Sequence, residues 1–142
     1  MRLDGNGLEV LDRADCLALM RSVTLGRVVF TDRALPAIQP VHFVLDGDDV
    51  IIATTPGSKL ASAMRGAIVA FETDAFESGS RWGWSVTMIG QARAVRVATE
   101  IDRLSRLPLR SWAPGQHDYF IRIRGECVSG RRIHPTYLEA TP

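Results

Sequence analysis

Beyond Gly26 the apolar residues of this chain recur at every second position in short runs, and Gly, Pro and Asp punctuate those runs. A period of two belongs to half-buried strands, so it restricts the fold more than any other feature. Six runs read as strands: Arg27–Thr31 (RVVFT), Ala37–Leu45 (AIQPVHFVL), Val50–Thr54 (VIIAT), Ala67–Thr73 (AIVAFET), Trp82–Val97, and Tyr119–Ile133, the last broken near Gly125. Pro40 removes a ladder donor, which places its strand at an edge or a bulge. Asp46-Gly47-Asp48-Asp49 reads as a hairpin turn with Asp-Gly as its signal, and Asp32-Arg33 turns the chain one hairpin earlier. Gly90 marks a bulge or kink in the fifth strand.

Helical periodicity is confined to three short stretches. Asp12 can cap a helix running to Ser22, with Cys16, Leu17, Leu19, Met20 and Val23 as its apolar stripe and Gly26 as its stop. Residues 1–25 therefore read as an N-terminal helical segment. Lys59–Arg65, capped by Gly66, and Ala98–Leu107 are the other two helices. Strands and helices do not alternate as βαβ units, so the expected architecture is an antiparallel barrel with peripheral helices, in one domain over residues 1–142.

Composition excludes several classes. With 142 residues, 46% of them hydrophobic, the chain can bury a core and is not a disordered segment. A net charge of +1 does not suit a generally basic nucleic-acid binder. Two cysteines make no disulfide framework, and Cys16 falls in a core stripe. No apolar run approaches the ~20 residues of a membrane span, and the N-terminus lacks a signal-peptide core, so a cytoplasmic location is expected. GxSxG, CxxC and HExxH are absent, and His42, His117 and His134 are too dispersed to suggest a metal site. No catalytic residue is assigned.

Of 17 basic residues, Lys59 is the only lysine. It lies in Thr54-Thr55-Pro56-Gly57-Ser58-Lys59-Leu60, which runs from strand through a glycine loop into a helix start. Hydroxyls and an ammonium at outward-facing backbone N–H groups have the chemistry of a phosphate seat, although Thr/Ser caps also serve stability alone. Trp82 and Trp84 flank Gly83, and Trp112 lies in a Pro-rich loop. They are either core or the walls of a planar-ligand site.

Six segments in order, GRVVF (26–30), QPVHFVLDGDDVIIATTPGSKLASAMRG (39–66), VAFETDAF (69–76), GWSVTMIGQA (83–92), LPLRSWAPG (107–115) and YFIRIRGECVSGRRI (119–133), resemble the pyridoxamine 5′-phosphate oxidase-like flavin-binding split-barrel family, in its short actinobacterial-type members. The resemblance implies a six-stranded antiparallel Greek-key split β-barrel, forming a homodimer with cofactor sites at the subunit interface. It implies FMN as cofactor, with the deazaflavin coenzyme of the F-420 type as the alternative. It assigns the flavin phosphate to Ser58 and Lys59 with Thr54 beside them, and the ring to Gln39, Pro40, Val41, His42 and Phe43. Trp84, Ser85 and Val86 would form the other side of the site, and Trp112 would reach in from the neighbouring subunit. The implied function is a flavin-dependent oxidoreductase acting on a small molecule, or else a flavin- or tetrapyrrole-holding protein without turnover. Where relatives usually carry Asn-Tyr this chain has His42-Phe43, which leaves His42 as the polar group there. No counterpart of the basic, aromatic substrate-binding tail of the full oxidases follows Arg131-Arg132, so pyridoxamine-phosphate oxidase activity itself is not expected.

Overall fold

The computed structural model describes residues 1–109 and 119–133. In chain order its elements are β1 (Arg2–Leu3), β2 (Glu9–Leu11), α1 (Arg13–Arg21), β3 (Leu25–Asp32), β4 (Leu35–His42), β5 (Val44–Asp46), β6 (Asp49–Thr54), α2 (Lys59–Ala63), β7 (Ile68–Glu77), β8 (Trp82–Ala94), α3 (Ala98–Ser105), β9 (Tyr119–Ile123) and β10 (Cys127–Arg132). Every strand pair is antiparallel.

The pairings close a ring. β3 pairs with β4, the chain bends at Phe43 into β5, and β5 pairs with β6. β6 then pairs with β9, β9 with β8, β8 with β7, and β7 returns to β3. Counting β4 and β5 as one bent strand, the barrel has the six strands expected. Closure removes most open edges. Among the described residues β4, which carries Pro36 and Pro40, has only β3 as its ladder partner, as suits a proline-bearing strand.

β8 is the strand that splits the structure. Its first part, Trp84–Ile89, pairs with β10, while Ala92–Ala94 pairs with β9. Gly90 sits at the change of partner, where an added Cβ would lie 1.9 Å from the Arg124 carbonyl oxygen. The chain crossing from β9 to β10 therefore passes directly over Gly90. The sequence predicts a bulge or kink here; the residue stays in register with Val69, so no bulge interrupts that ladder and Gly90 serves a close approach.

The N-terminal segment differs from expectation. Residues 1–25 are helical only over Arg13–Arg21; before that helix, β1 and β2 form a ribbon added to β10. Two- and three-residue strands are too short to display a period. Asp12 does cap α1, accepting from the Asp15 N–H at 2.8 Å, and Cys16, Leu17 and Met20 are buried against β8 and β10. The helix stops at Arg21 with Ser22 as its C-cap, and Gly26 is instead a β3 residue packed beneath the Phe71 ring.

The barrel interior holds Val28, Val50, Ile52, Phe71, Val86, Met88 and Ile123, each with at most 1% of its surface exposed. Burial of each such side chain contributes roughly 1.5–3 kcal/mol. A second small core of Ile51, Val95, Leu104 and Phe120 lies under α3. Among the described residues no helix is long and apolar enough to cross a membrane.

Candidate functional site

The loop after β6 is organised by one serine. Ser58 caps α2, its Oγ accepting from the Ala61 N–H at 3.0 Å, and its own N–H donates to the Thr55 carbonyl at 3.1 Å. Thr54 Oγ1 lies 3.0 Å from Ser58 Oγ. One hydroxyl of this pair donates to the other, so one O–H remains for a ligand. Lys59 begins the helix with its side chain 68% exposed and its Nζ 3.0 Å from Asp32 Oδ2 at the end of β3. An ammonium has three donors, and Asp32 engages one. The donors left over suit a small anion.

Strand alternation divides the second-strand segment. Pro40 and His42 lie on the outer face of the barrel; Gln39 and Val41 share the side of their partners Val28 and Gly26. Val41 and Phe43 are buried in the core, Phe43 meeting Phe71 edge-on at 4.8 Å. His42 Nδ1 is 3.3 Å from the Thr24 carbonyl oxygen. A cavity of about 380 Å³ opens there, lined by Thr24, His42, Phe43 and Pro108. Asp32 is opposite Leu35 across the β3–β4 hairpin, so Lys59 stands near one end of β4 and this cavity near the other. The separation along the strand is about 23 Å, so a ligand anchored at Lys59 meets Gln39 and Pro40 before His42.

The fifth-strand residues are divided in the same way. Trp84 (2% exposed) and Val86 are core, leaving only backbone groups to offer a ligand. The indole of Trp84 therefore has no open face for stacking, contrary to one reading of the sequence. Trp82 is the exposed member of the pair, at 37%. Ser85 is half-buried on the outer face, directly opposite Asp74 of β7. Trp112, His117 and His134 lie outside the described residues.

Between Pro40 and Ser85 the sheet carries a charge cluster that sequence reading did not single out. Arg27 is opposite both Pro40 and Glu72, and its Nη1 donates to Glu72 Oε1 at 3.0 Å and to Asp74 Oδ2 at 3.3 Å. Burial, and then the neighbouring Asp74 carboxylate, push Glu72 up to about 7 against the opposing pull of Arg27. The signal was present as two acids at spacing two in AFETDAF, which alternation puts on one face. Pro40, Arg27, Glu72, Asp74 and Ser85 thus form one outer surface. Thr24, Pro108 and Asp32 were also missed, because each adjoins the site only through tertiary contact.

A family model described as pyridoxamine 5′-phosphate oxidase matches residues 12–132. The chain belongs to the pyridoxamine 5′-phosphate oxidase family. Its ring of six strands, with β10, β2 and β1 added at β8, is that family's split barrel. Uncharacterized protein Rv0080 of Mycobacterium tuberculosis is 42% identical over 129 residues, covering 87% of this chain and 84% of its own length. The FAD binding protein from Mycobacterium smegmatis is similar in structure, with TM-score 0.74, 34% identity, and coverage of 87% of this chain and 95% of that one. A conserved protein of unknown function from Corynebacterium diphtheriae gives TM-score 0.73, 32% identity, and coverage of 87% and 96%.

Proposed function

We propose that this member of the family binds a flavin, works as a homodimer, and acts as an oxidoreductase on a small molecule. The carrying observation is the set of unspent donors on Thr54, Ser58 and Lys59, the three residues the resemblance assigns to the flavin phosphate. Those groups fit a phosphate: one hydroxyl proton and two ammonium protons are free of the partners described. Pro40, His42 and Ser85, on the outer sheet face, would receive the ring. Val41, Phe43, Trp84 and Val86 would hold the backbone beneath it rigid. A bound flavin supplies the electron or hydride chemistry; the protein binds it, orients it and excludes water.

FMN is the smallest flavin that meets both parts of this site. The 34% identical M. smegmatis protein, an FAD binding protein, favours FAD as the second reading. The homodimer is supported by the apolar row Ile38, Val29, Ala70 and Ile89, which crosses the outer face from β4 to β8 beside the Arg27 cluster. Ile38 is 68% exposed and Ile89 45%, and a second copy would cover both.

Titration of the full chain with FMN, FAD and the deazaflavin coenzyme, followed by visible absorbance, tests the reading. Saturable flavin binding in the low micromolar range is expected, about −8 kcal/mol. No binding of either flavin at that level overturns it, and a deazaflavin preference of about tenfold moves the assignment to that coenzyme. Bound flavin that reduced nicotinamides and dithionite cannot cycle indicates a holding protein without turnover.

A further inference from the structure

On the same side of β8 as Ser85, but eight residues further along and about 26 Å away by strand rise, a second cavity of about 300 Å³ opens. Asp49, Arg93, Arg122 and Arg124 line it. Among the described residues the lining is charged throughout and includes no aromatic side chain, so it does not suit an isoalloxazine ring.

Its geometry concentrates positive charge. Arg93 of β8 is directly opposite Arg122 of β9, and like charges facing each other across a ladder repel. Arg124 follows Arg122 by two residues, and its backbone N–H donates to the Gln91 carbonyl at 3.1 Å. The nearby carboxylates converge on Arg122. Asp49 accepts from Arg122 Nη1 at Oδ2, 2.9 Å, and from the Gly125 N–H at Oδ1, 3.0 Å. Asp46 Oδ2 accepts from Arg122 at 2.7 Å and from Arg103 at 2.9 Å. Glu100 Oε1 accepts from Arg122 Nε at 3.1 Å and Nη2 at 2.8 Å, which leaves Arg93 a contact of 3.7 Å. Arg124 makes no side-chain hydrogen bond or ion pair among the described residues. Arg122, 8% exposed, is thus a saturated charge in the cavity wall, and Arg93 and Arg124 are exposed forks with donors to spare.

We propose that this cavity is a second binding site, independent of the flavin site, for a small anion presenting a phosphate or carboxylate group. Arg93 and Arg124 would clamp two of its oxygens, as planar guanidinium forks do. Arg122, fixed by Asp46, Asp49 and Glu100, would hold the cavity in shape.

Calorimetric titration of the full chain with inorganic phosphate, and separately with pyrophosphate, tests this at ionic strength matched with chloride. A saturable event is expected that survives Lys59→Ala, which removes the flavin-phosphate seat as its source. Arg93→Gln and Arg124→Gln should each weaken it about tenfold or more, the loss of one charge-assisted bond. Neither residue anchors the fold through a short side-chain hydrogen bond among the described residues, so both variants should melt close to wild type and remain interpretable. No saturable heat up to about 10 mM, beyond the weakest useful affinity, overturns the proposal. So does binding that Lys59→Ala abolishes and Arg124→Gln leaves unchanged, since that places the anion at the flavin phosphate groups.

Discussion

Lys59 Nζ and Asp32 Oδ2 stand 3.0 Å apart, joining the first residue of α2 to the end of β3. The ion pair is largely exposed on the lysine side, so it contributes little to stability, about 0–1 kcal/mol. Its effect is on the site. The pair aims the ammonium at the hairpin end of β4, but Asp32 also competes with any phosphate for the same charge. Lys59→Ala should weaken flavin binding by roughly 1.5–3 kcal/mol, the range of a charge-assisted bond. Asp32→Asn should act in the opposite direction and tighten binding severalfold. Parallel fluorescence titrations of both variants check this; equal weakening by the two would show that Asp32 supports the site and does not oppose it.

Arg122 joins three carboxylates, Asp46 and Asp49 of the β5–β6 hairpin and Glu100 of α3. It is nearly buried, and Arg122→Met strands those charges without a central partner. The expected cost is about 3–5 kcal/mol, the range for breaking a buried pair. At this chain length that is a fall in Tm of about 10 °C or more. The Asp46 carboxyl is held well below the usual range, first by its bonds to Arg103 and then by Arg122. The stability it contributes is present above its unfolded value and is lost only as the pH falls through that lowered value. Thermal melts of wild type and Arg122→Met from neutral to strongly acid pH measure both effects; a gap that stays constant down to the lowest pH would contradict the coupling.

This hub also shows what the sequence made legible. The six ring strands follow from period two because each has a buried and an outer face, and Pro40 marks the edge strand because a missing donor is tolerated only there. Arg122 was hidden because Tyr119–Ile123 is covered on both faces, with α3 over one, so its charge reads as an outward residue of an ordinary strand. Trp82 and Trp84 were ambiguous because composition does not say which end of β8 is roofed. The Thr54–Ser58–Lys59 cluster was legible because its partners lie within six residues of one another. The Asp32 contact was not, because it joins α2 to the end of β3, elements far apart in sequence.

Glu72 makes the outer face pH-sensitive. Its carboxyl is raised from an ordinary 4.5 to about 7, chiefly by burial and then by Asp74. A raised carboxyl favours the protonated folded state, so its contribution is fully present below about 4.5 and is lost as the pH rises through about 7. Glu72→Gln imitates the protonated form. Its Tm should match wild type near pH 4.5 and exceed it above pH 7. A gain equal at both ends of that window would mean that the substitution acts through packing and not through the charge.

The β3–β4 turn carries two left-handed residues without a glycine, Arg33 at φ 52° and Ala34 at φ 66°. Positive φ at both central positions is the pattern of a type I′ hairpin, where Asn-Gly is preferred. For an alanine that conformation costs roughly 1–2 kcal/mol, partly offset by the freedom a glycine loses on folding. Ala34→Gly should therefore stabilise the chain by up to about 1 kcal/mol, read as a shift in denaturant midpoint with unchanged slope. A lower midpoint would show that the Ala34 methyl makes a contact worth more than the strain.

Gly90 is the position where the barrel and the β10–β2–β1 extension depend on one missing side chain. A Cβ there would lie 1.9 Å from the Arg124 carbonyl oxygen, which belongs to backbone and cannot rotate away. Accommodating it requires moving the crossing between β9 and β10, and with it the Arg124 N–H bond to Gln91. Gly90→Ala should cost about 1–3 kcal/mol or more, as overpacking does. Gly57→Ala is the matched control: it has open space around its Cα and no left-handed φ, so its effect should fall within about 0.5 kcal/mol. Because the shifted crossing carries Arg124, Gly90→Ala should also weaken phosphate or pyrophosphate binding at the arginine cavity, whereas Gly57→Ala should not. A Gly90→Ala protein that melts like wild type would show that the crossing is not held where the structure places it.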